Sequence, residues 1–541
     1  MTKQIPSSSA SNGLSRRGIP LLRPTRRTLL TGTTAAVSMA LISRYGRASQ
    51  SGTPFTLGVA SGAPTSDGVV LWTRLAPEPL APDGSGGITE AALVTWEIAA
   101  DEAMRQVVQR GTVEADRRLA HSVHVEVAGL QPNRPYWYRF IALGAESPIG
   151  RTRTAPAATD NVDHLRFAFA SCSHYELGYF SAYRHMAADD PDLVLFLGDY
   201  IYEYTVSQEY ADRTVRKHDG PTAVDLVGYR NRYALHRTDP DLQTLHAAAP
   251  CLVTWDDHEV ENDYANEWSQ VVATTPEAFL RRRAAAYQAY YEHMPLRARS
   301  LPHGSTLRLH DRIRFGNLVT FSVLDGRQYR SQQPCARPDT RRGYVAPDSC
   351  TERVDENRTL LGFEQERWLF DGFKTADTAW NVLAQNQLIA QLRQKGADGV
   401  VGHWTEGWDG YAAGRRRMLE AIDQTRLTNP VFIGGDIHSF WATDLKADLG
   451  DPTSKTIATE FVGTSITSDG PPYQRFMEML PENPHVRFFD SRQRGYVRVD
   501  LTRRRMETSF LVISDRRDPK ATVSTMKRFV VENGKPGGVA D

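Results

Sequence analysis

Leu193-Val194-Leu195-Phe196-Leu197-Gly198-Asp199-Tyr200-Ile201-Tyr202-Glu203 joins five consecutive apolar residues to a glycine, a carboxylate and a phenol. An uninterrupted apolar run this short fits a strand buried on both faces, as in a sheet covered on each side. The polar cluster at its end then lies where α/β proteins gather their ligand sites, in the loops beyond the carboxyl ends of strands. The same grammar recurs. Phe167–Ala170 precedes Ser171-Cys172, Cys251–Val253 precedes Trp255-Asp256-Asp257-His258, Val319–Leu324 precedes Asp325, and Val431–Ile433 precedes Gly435-Asp436. Helical patterns lie between them, clearest from Thr275, with Pro276 at the first helical position, through Tyr291, and again over Phe363–Phe373. Alternating strands and helices predict an α/β layered domain, central β-sheets flanked by helices, over residues 164–514.

Upstream the grammar differs. Gly68–Thr73, Ala92–Ile98, Ser122–Val127 and Tyr136–Leu143 read as short β-type runs separated by turn residues such as Pro132-Asn133. Residues 54–153 are therefore expected to form a small all-β sandwich, and the Val127–Pro132 and Tyr136–Tyr138 segments resemble the strand entry of fibronectin-type domains, where the aromatic residues serve the core. Residues 515–541, polar and carrying Gly534, Gly537 and Gly538, read as a C-terminal tail.

The strand-end residues share a chemistry. Asp199 and Tyr202 stand three apart and can reach one cation. Asp256 and Asp257 are adjacent acids that repel unless a cation or a proton compensates them, and His258 follows directly. Asp436 and His438 stand two apart, on one side of an extended segment. Cys172 alone reads as a buried thiol, but at a strand end beside these motifs it is a candidate thiolate ligand. Such a set suits phosphoester hydrolysis, in which cations neutralise phosphoryl oxygens, supply hydroxide near neutral pH and stabilise the leaving oxygen.

The order of the motifs resembles the alkaline phosphatase D family, a divergent branch of the calcineurin-like metallophosphoesterases, from about Phe55 to Val512. The matching segments are Ala170-Ser171-Cys172, Leu197–Glu203, Trp255–Asn262, Trp408-Asp409-Gly410-Tyr411 and Gly435–Ser439. The resemblance implies a β-sandwich domain before an α/β layered metallophosphoesterase domain, and a site holding ferric iron with calcium. Carried over, Cys172, Asp199, Tyr202, Asp436 and His438 fall on the iron side. Asp199, one of Asp256 and Asp257, and Asn262 as a further candidate fall on the calcium side; hard oxygen ligands suit calcium, and thiolate with phenolate suits ferric iron. The chain departs from the usual pattern in Val400–Gly407 and at Ala412. His403 in that stretch is a weaker candidate ligand than Asp409, which falls within a matching motif.

The expected function is an exported, metal-dependent phosphoesterase that cleaves phosphate monoesters or diesters by in-line attack of metal-bound hydroxide. His258 is expected to assist the phosphoryl group or leaving oxygen, and Arg415 to contact the anion. Within the same family the alternative is a phospholipase D-like diesterase acting on phospholipid or teichoic acid; from another class, a catalytically silent exported binding protein.

The rest of the chain bounds the setting. Its 541 residues hold 64 basic and 64 acidic side chains, so no global charge draws it to nucleic acid or an anionic membrane. Arg26-Arg27 ahead of the apolar run Thr28–Ile42 reads as a twin-arginine export signal over residues 1–49, read by the export machinery and then removed. Thr31, Gly32, Thr33 and Thr34 interrupt that run, so no permanent membrane span is expected. Of four cysteines, Cys335 and Cys350 bracket a proline-rich loop suited to one disulfide in an oxidising compartment.

Overall fold

The computed structural model describes residues 52–541 except 219, 338, 397 and 398. The twin-arginine segment lies outside the described residues. Two large mixed sheets carry the chain. In the ten-stranded sheet His164–Ala170, Leu193–Leu197 and Cys251–Thr254 run parallel side by side. In the seven-stranded sheet Val319–Val323, Trp380–Ala384, Pro430–Gly434 and Thr456–Val462 do the same.

Side-chain alternation explains why these runs are wholly apolar. Leu193, Leu195 and Leu197 join one core cluster with Phe321, Val382 and Ile433 of the other sheet, while Val194 and Phe196 point into a second cluster. That second cluster holds Tyr183 of the helix Ser181–Ala188, Tyr233 of Leu226–Arg237, Leu245 of Pro240–Ala248 and Tyr287 of Pro276–His293. On the seven-stranded sheet, Leu383 and Phe432 share a cluster with Leu369 and Met418, from the helices Phe363–Lys374 and Ala412–Thr425. Both faces of a central strand are thus covered, and each fully buried Leu or Phe contributes about 1.5–3 kcal/mol relative to exposure. Truncating Leu195 to alanine would open a cavity in the shared core, at a cost of about 2–5 kcal/mol.

The chain is thus an α/β protein with a β-rich N-terminal region. That region is joined to the main sheet more closely than expected. Ala92–Ala99, Val107–Ala115, Pro135–Ala142, Ala145–Glu146 and Gly150–Arg153 form a separate five-stranded sheet. Val59–Thr65, Gly68–Arg74 and Ser122–Val127, however, belong to the ten-stranded sheet, entering it where Gly62 pairs with Cys251. A core of Val69, Leu71, Val94, Ile98, Tyr138 and Phe140 lies between the two layers. Gly62 permits the junction: a Cβ there would meet the Cys251 carbonyl at 2.9 Å.

The C-terminal tail expected over residues 515–541 is instead structured. Val523–Glu532 and Lys535–Ala540 form a hairpin that ends the ten-stranded sheet. Phe529 and Val531 alternate into the core between the sheets, where Phe529 stands 5.5 Å from Phe510. Asn533-Gly534 makes the turn, with Gly534 at φ +77°. Cys335 and Cys350 are disulfide-bonded, with Cα atoms 5.9 Å apart.

Candidate metal centre

Each strand-end motif turns sharply into the site. Cys172, Asp199, Asp436 and His438 all adopt left-handed backbone conformations, with φ between +51° and +63°. Such angles are uncommon for residues with a Cβ, and four of them on loops that meet at one place are strain held by the surrounding fold. Gly198 precedes Asp199 at φ +98°, and a Cβ on it would sit 2.6 Å from the Asp256 backbone nitrogen. Only glycine lets the two acidic loops pack together. Glu259 then ties them, accepting from the backbone N–H groups of Asp199 (3.1 Å), Tyr200 (2.7 Å) and Asp256 (2.8 Å).

The loops converge. Ligand atoms of Cys172, Asp199 and His438 lie within 4.8 Å of one another, as do those of Asp199, Asp257 and His258, and those of Asp256, Asp257 and Asp436. Asp199 and Asp257 each take part in two groups, so the three groups form one connected cluster. Tyr202 joins it by donating to Asp199 Oδ2 at 3.0 Å, with its hydroxyl also 3.0 Å from His438 Nε2. Ser468 donates to the same phenol oxygen at 2.7 Å. His438 Nδ1 is 2.7 Å from the Asp469 carbonyl, a contact that places the proton on Nδ1 and leaves the Nε2 lone pair facing the cluster. Burial, reinforced by the nearby Arg494, pushes His438 down to about 4, so the ring is neutral.

Charge is crowded here. Burial, reinforced by Asp257, Asp256 and Glu259, raises the Asp199 carboxyl well above its usual range despite the opposing pull of His258. Asp436 is raised likewise, by burial and by Asp256, Glu406 and Asp257. Burial and then Asp199 push up the Cys172 thiol. His258 moves the other way: burial disfavours its charge, but Glu203, Asp257 and Asp199 together hold it well above the ordinary histidine value. Its Nδ1 is 2.7 Å from Glu203 Oε2.

Arg327 is the buried counter-charge, fully shielded from solvent. Its Nε donates to Asp256 Oδ1 at 2.5 Å, its Nη1 to Glu406 Oε1 at 2.5 Å, and its Nη2 stands 3.5 Å from Asp257 Oδ1. Asn386 donates to the same Asp256 oxygen. Even so, Asp256 Oδ2 and Asp257 Oδ1 are buried without a hydrogen-bond partner among the described residues. A buried carboxylate oxygen left unpaired is costly, and a cation satisfies it. The residues present therefore fit bound cations, with a thiol, a phenol and an imidazole toward one end of the cluster and carboxylates toward the other.

Two further expected site residues make hydrogen bonds of their own within the fold. Asn262 spends its side-chain amide on Asp263 (2.6 Å) and Gln270 (2.5 Å). Arg415 is buried on the helix Ala412–Thr425, with Nη1 donating to Asp409 Oδ1 at 2.6 Å and to the Ile389 carbonyl at 3.3 Å. Through Nη1 it neutralises Asp409, which in turn accepts from Leu392 N at 2.9 Å. The arginine among the carboxylates is Arg327, two residues beyond the strand-end Asp325. Asn386 follows another apolar strand, Trp380–Ala384, and the polar trio Gln385-Asn386-Gln387 was the signal for it.

Comparison with known proteins agrees with this geometry. The family described as PhoD-like phosphatase matches residues 167–510, and the PhoD-like phosphatase N-terminal domain matches residues 39–156. The alkaline phosphatase D of Bacillus subtilis (strain 168) is 47% identical over 489 residues, 90% of this chain and 82% of that protein. A solved structure of PhoD superimposes with a TM-score of 0.85 at 46% identity, covering 91% of this chain and 93% of that one. With the family match running through every loop of the acidic cluster, the chain belongs to the PhoD-like phosphatase family and is a phosphoester hydrolase.

Proposed function

We propose that the chain is an exported, cation-dependent alkaline phosphatase of the D type, hydrolysing phosphate esters at the cluster centred on Asp199 and Asp257. The observation that carries this reading is the convergence of three ligand groups, each within 4.8 Å, around carboxylate oxygens that lack a hydrogen-bond partner among the described residues. Cys172, Asp199, Tyr202, Asp436 and His438 would hold ferric iron; Asp199, with Asp257 or Asp256 and with Asn262 as a further candidate, would hold calcium, in keeping with the softness of each donor set. When bound, such cations supply charge neutralisation at the phosphoryl oxygens and acidify water.

The protein's own groups do the rest. Glu203 orients His258 through Nδ1 and helps keep it protonated, so that Nε2 is the group that donates a proton toward a phosphoryl or leaving oxygen. Arg327 and Asn386 hold one oxygen of Asp256 and leave the other directed elsewhere. Glu259 fixes the two acidic loops through three backbone N–H groups. The layered arrangement of the calcineurin-like enzymes is supported by the two sheets sharing a core between them and by helices over their outer faces.

Asp199→Asn tests the site. The variant is expected to lose bound metal and at least ~10³-fold in kcat/KM while folding normally; full activity would contradict the assignment. Among the described residues no helix is long and apolar enough to cross a membrane, and export is proposed through Arg26-Arg27. Replacing both by lysine is expected to retain the active protein in the cytoplasm in a fractionation assay, whereas unchanged export would count against the twin-arginine route.

A further inference from the structure

A cavity of about 340 Å³ opens directly beside the acidic cluster, and Asp436, Glu406 and Asp263 form part of its wall. The rest of the lining has a different chemistry. Leu388, Leu392, Ile437 and Phe476 give it an apolar surface, and Trp404, a residue 39% exposed, stands at its edge. Trp404 ends the short strand Val401–Trp404, which pairs with Tyr344-Val345 of the disulfide-closed loop. Alternation along that strand places His403 outside the cavity lining and Trp404 within it. Arg342, from the same loop, is ion-paired to Asp263 and lies 5.8 Å from the Trp404 ring centroid, which holds the indole at the cavity's edge. Arg475, exposed and without an ion-pair partner among the described residues, is also part of the lining.

A cavity that is apolar along one side and acidic at one end is matched to a ligand with the same division. Once the phosphate lies over the carboxylate cluster and its cations, the organic group esterified to it has this adjoining space to enter. The volume falls within the range of small-molecule sites and accommodates a fused aromatic ring. A half-exposed tryptophan offers a flat face at little cost in conformational entropy.

We propose that this cleft binds the organic moiety of the phosphoester, and that Trp404, with Phe476, makes the enzyme selective for esters of planar aromatic or otherwise apolar alcohols. The inference rests on the phosphoester reading above and adds the part of the substrate that the cluster does not touch. Arg342 and Arg475 then lie where they can meet an anionic substituent on that moiety.

The test compares 1-naphthyl phosphate with phenyl phosphate, whose leaving alcohols have nearly equal acidity, so that the ratio of their kcat/KM values reports binding of the larger ring. The metal-loaded wild-type protein is expected to prefer the naphthyl ester by roughly tenfold. Trp404→Ala and Phe476→Ala are each expected to bring that ratio toward unity, and Trp404→Phe, which keeps an aromatic face, to retain most of it. Equal kcat/KM values in the wild type, or a naphthyl preference unchanged in Trp404→Ala, would overturn the proposal. Failure of the wild type to hydrolyse either ester or a chromogenic diester would defeat the phosphoester reading itself and this inference with it.

Discussion

His258 shows how a single side chain acquires its role from its neighbours. Its ring stands 4.3 Å from Tyr202 by centroids, its backbone N–H faces Asp199 Oδ1 at 3.4 Å, and Glu203 lies on its Nδ1. Burial alone would favour the neutral ring, but the three surrounding carboxylates outweigh it and the group stays protonated well above its ordinary value. Glu203→Gln removes the first of those charges, so the histidine loses its proton at lower pH. If protonated His258 assists the reaction, the alkaline limb of the pH profile of kcat/KM moves to lower pH in this variant; an unmoved limb would exclude that role for His258. At this scale much of the site was legible. Cys172, Asp199, Asp257, Asp436 and His438 carry short, local signals at strand ends, and the structure brings them together. Arg327 and Asn386 were missed because their importance arises from pairing with Asp256 across 71 and 130 residues of chain, which no local pattern encodes. Arg415, expected from its place after a site motif to contact the anion, is ion-paired to the buried Asp409.

Elements follow the same division between local and long-range information. The two-sided burial of Leu193–Leu197 and Pro430–Gly434 was readable from composition, since nothing but an apolar residue suits either face. Both long helices were readable too: Thr275 caps Pro276–His293 by accepting from Ala278 N, and the helix Phe363–Lys374 begins at the residue where its apolar spacing begins. The C-terminal hairpin was missed despite Asn533-Gly534, a strong turn signal, because the flanking runs are rich in polar residues and its core contacts are few: Phe529 and Val531 are buried and Met526 packs beside them. That packing gives a direct prediction. Phe529 meets Phe461, Phe488 and Phe510, so deleting residues 519–541 uncovers those rings and the edge of Arg505–Ile513. The truncated protein is expected to unfold at least several degrees below the full chain in a thermal melt or to aggregate. A truncation with an unchanged Tm would show that the hairpin contributes nothing to the core.

For the whole molecule, two sheets pack face to face and send their parallel strands' carboxyl ends toward one place, where loops from both supply the acidic cluster. Loops from the ten-stranded sheet bring Cys172, Asp199, Asp256 and Asp257; those from the seven-stranded sheet bring Arg327, Asn386, Asp436 and His438. The N-terminal β region was legible as strands, but its continuity with the main sheet was not, because a single pairing at Gly62 and Cys251 joins them and a glycine in a strand has no side chain to signal its neighbour. The convergence of these buried acids, with Asp256 Oδ2 and Asp257 Oδ1 left without a hydrogen-bond partner among the described residues, leads to the central claim, that the cluster is a cation site on which hydrolysis depends. The measurement that tests it most directly is metal analysis of the purified mature protein, coupled to hydrolysis of a chromogenic phosphomonoester and its diester before chelation, after it, and after calcium is restored. The account predicts bound iron, activity lost on chelation and recovered with calcium; a metal-free protein that hydrolyses either ester at the same rate throughout would contradict it.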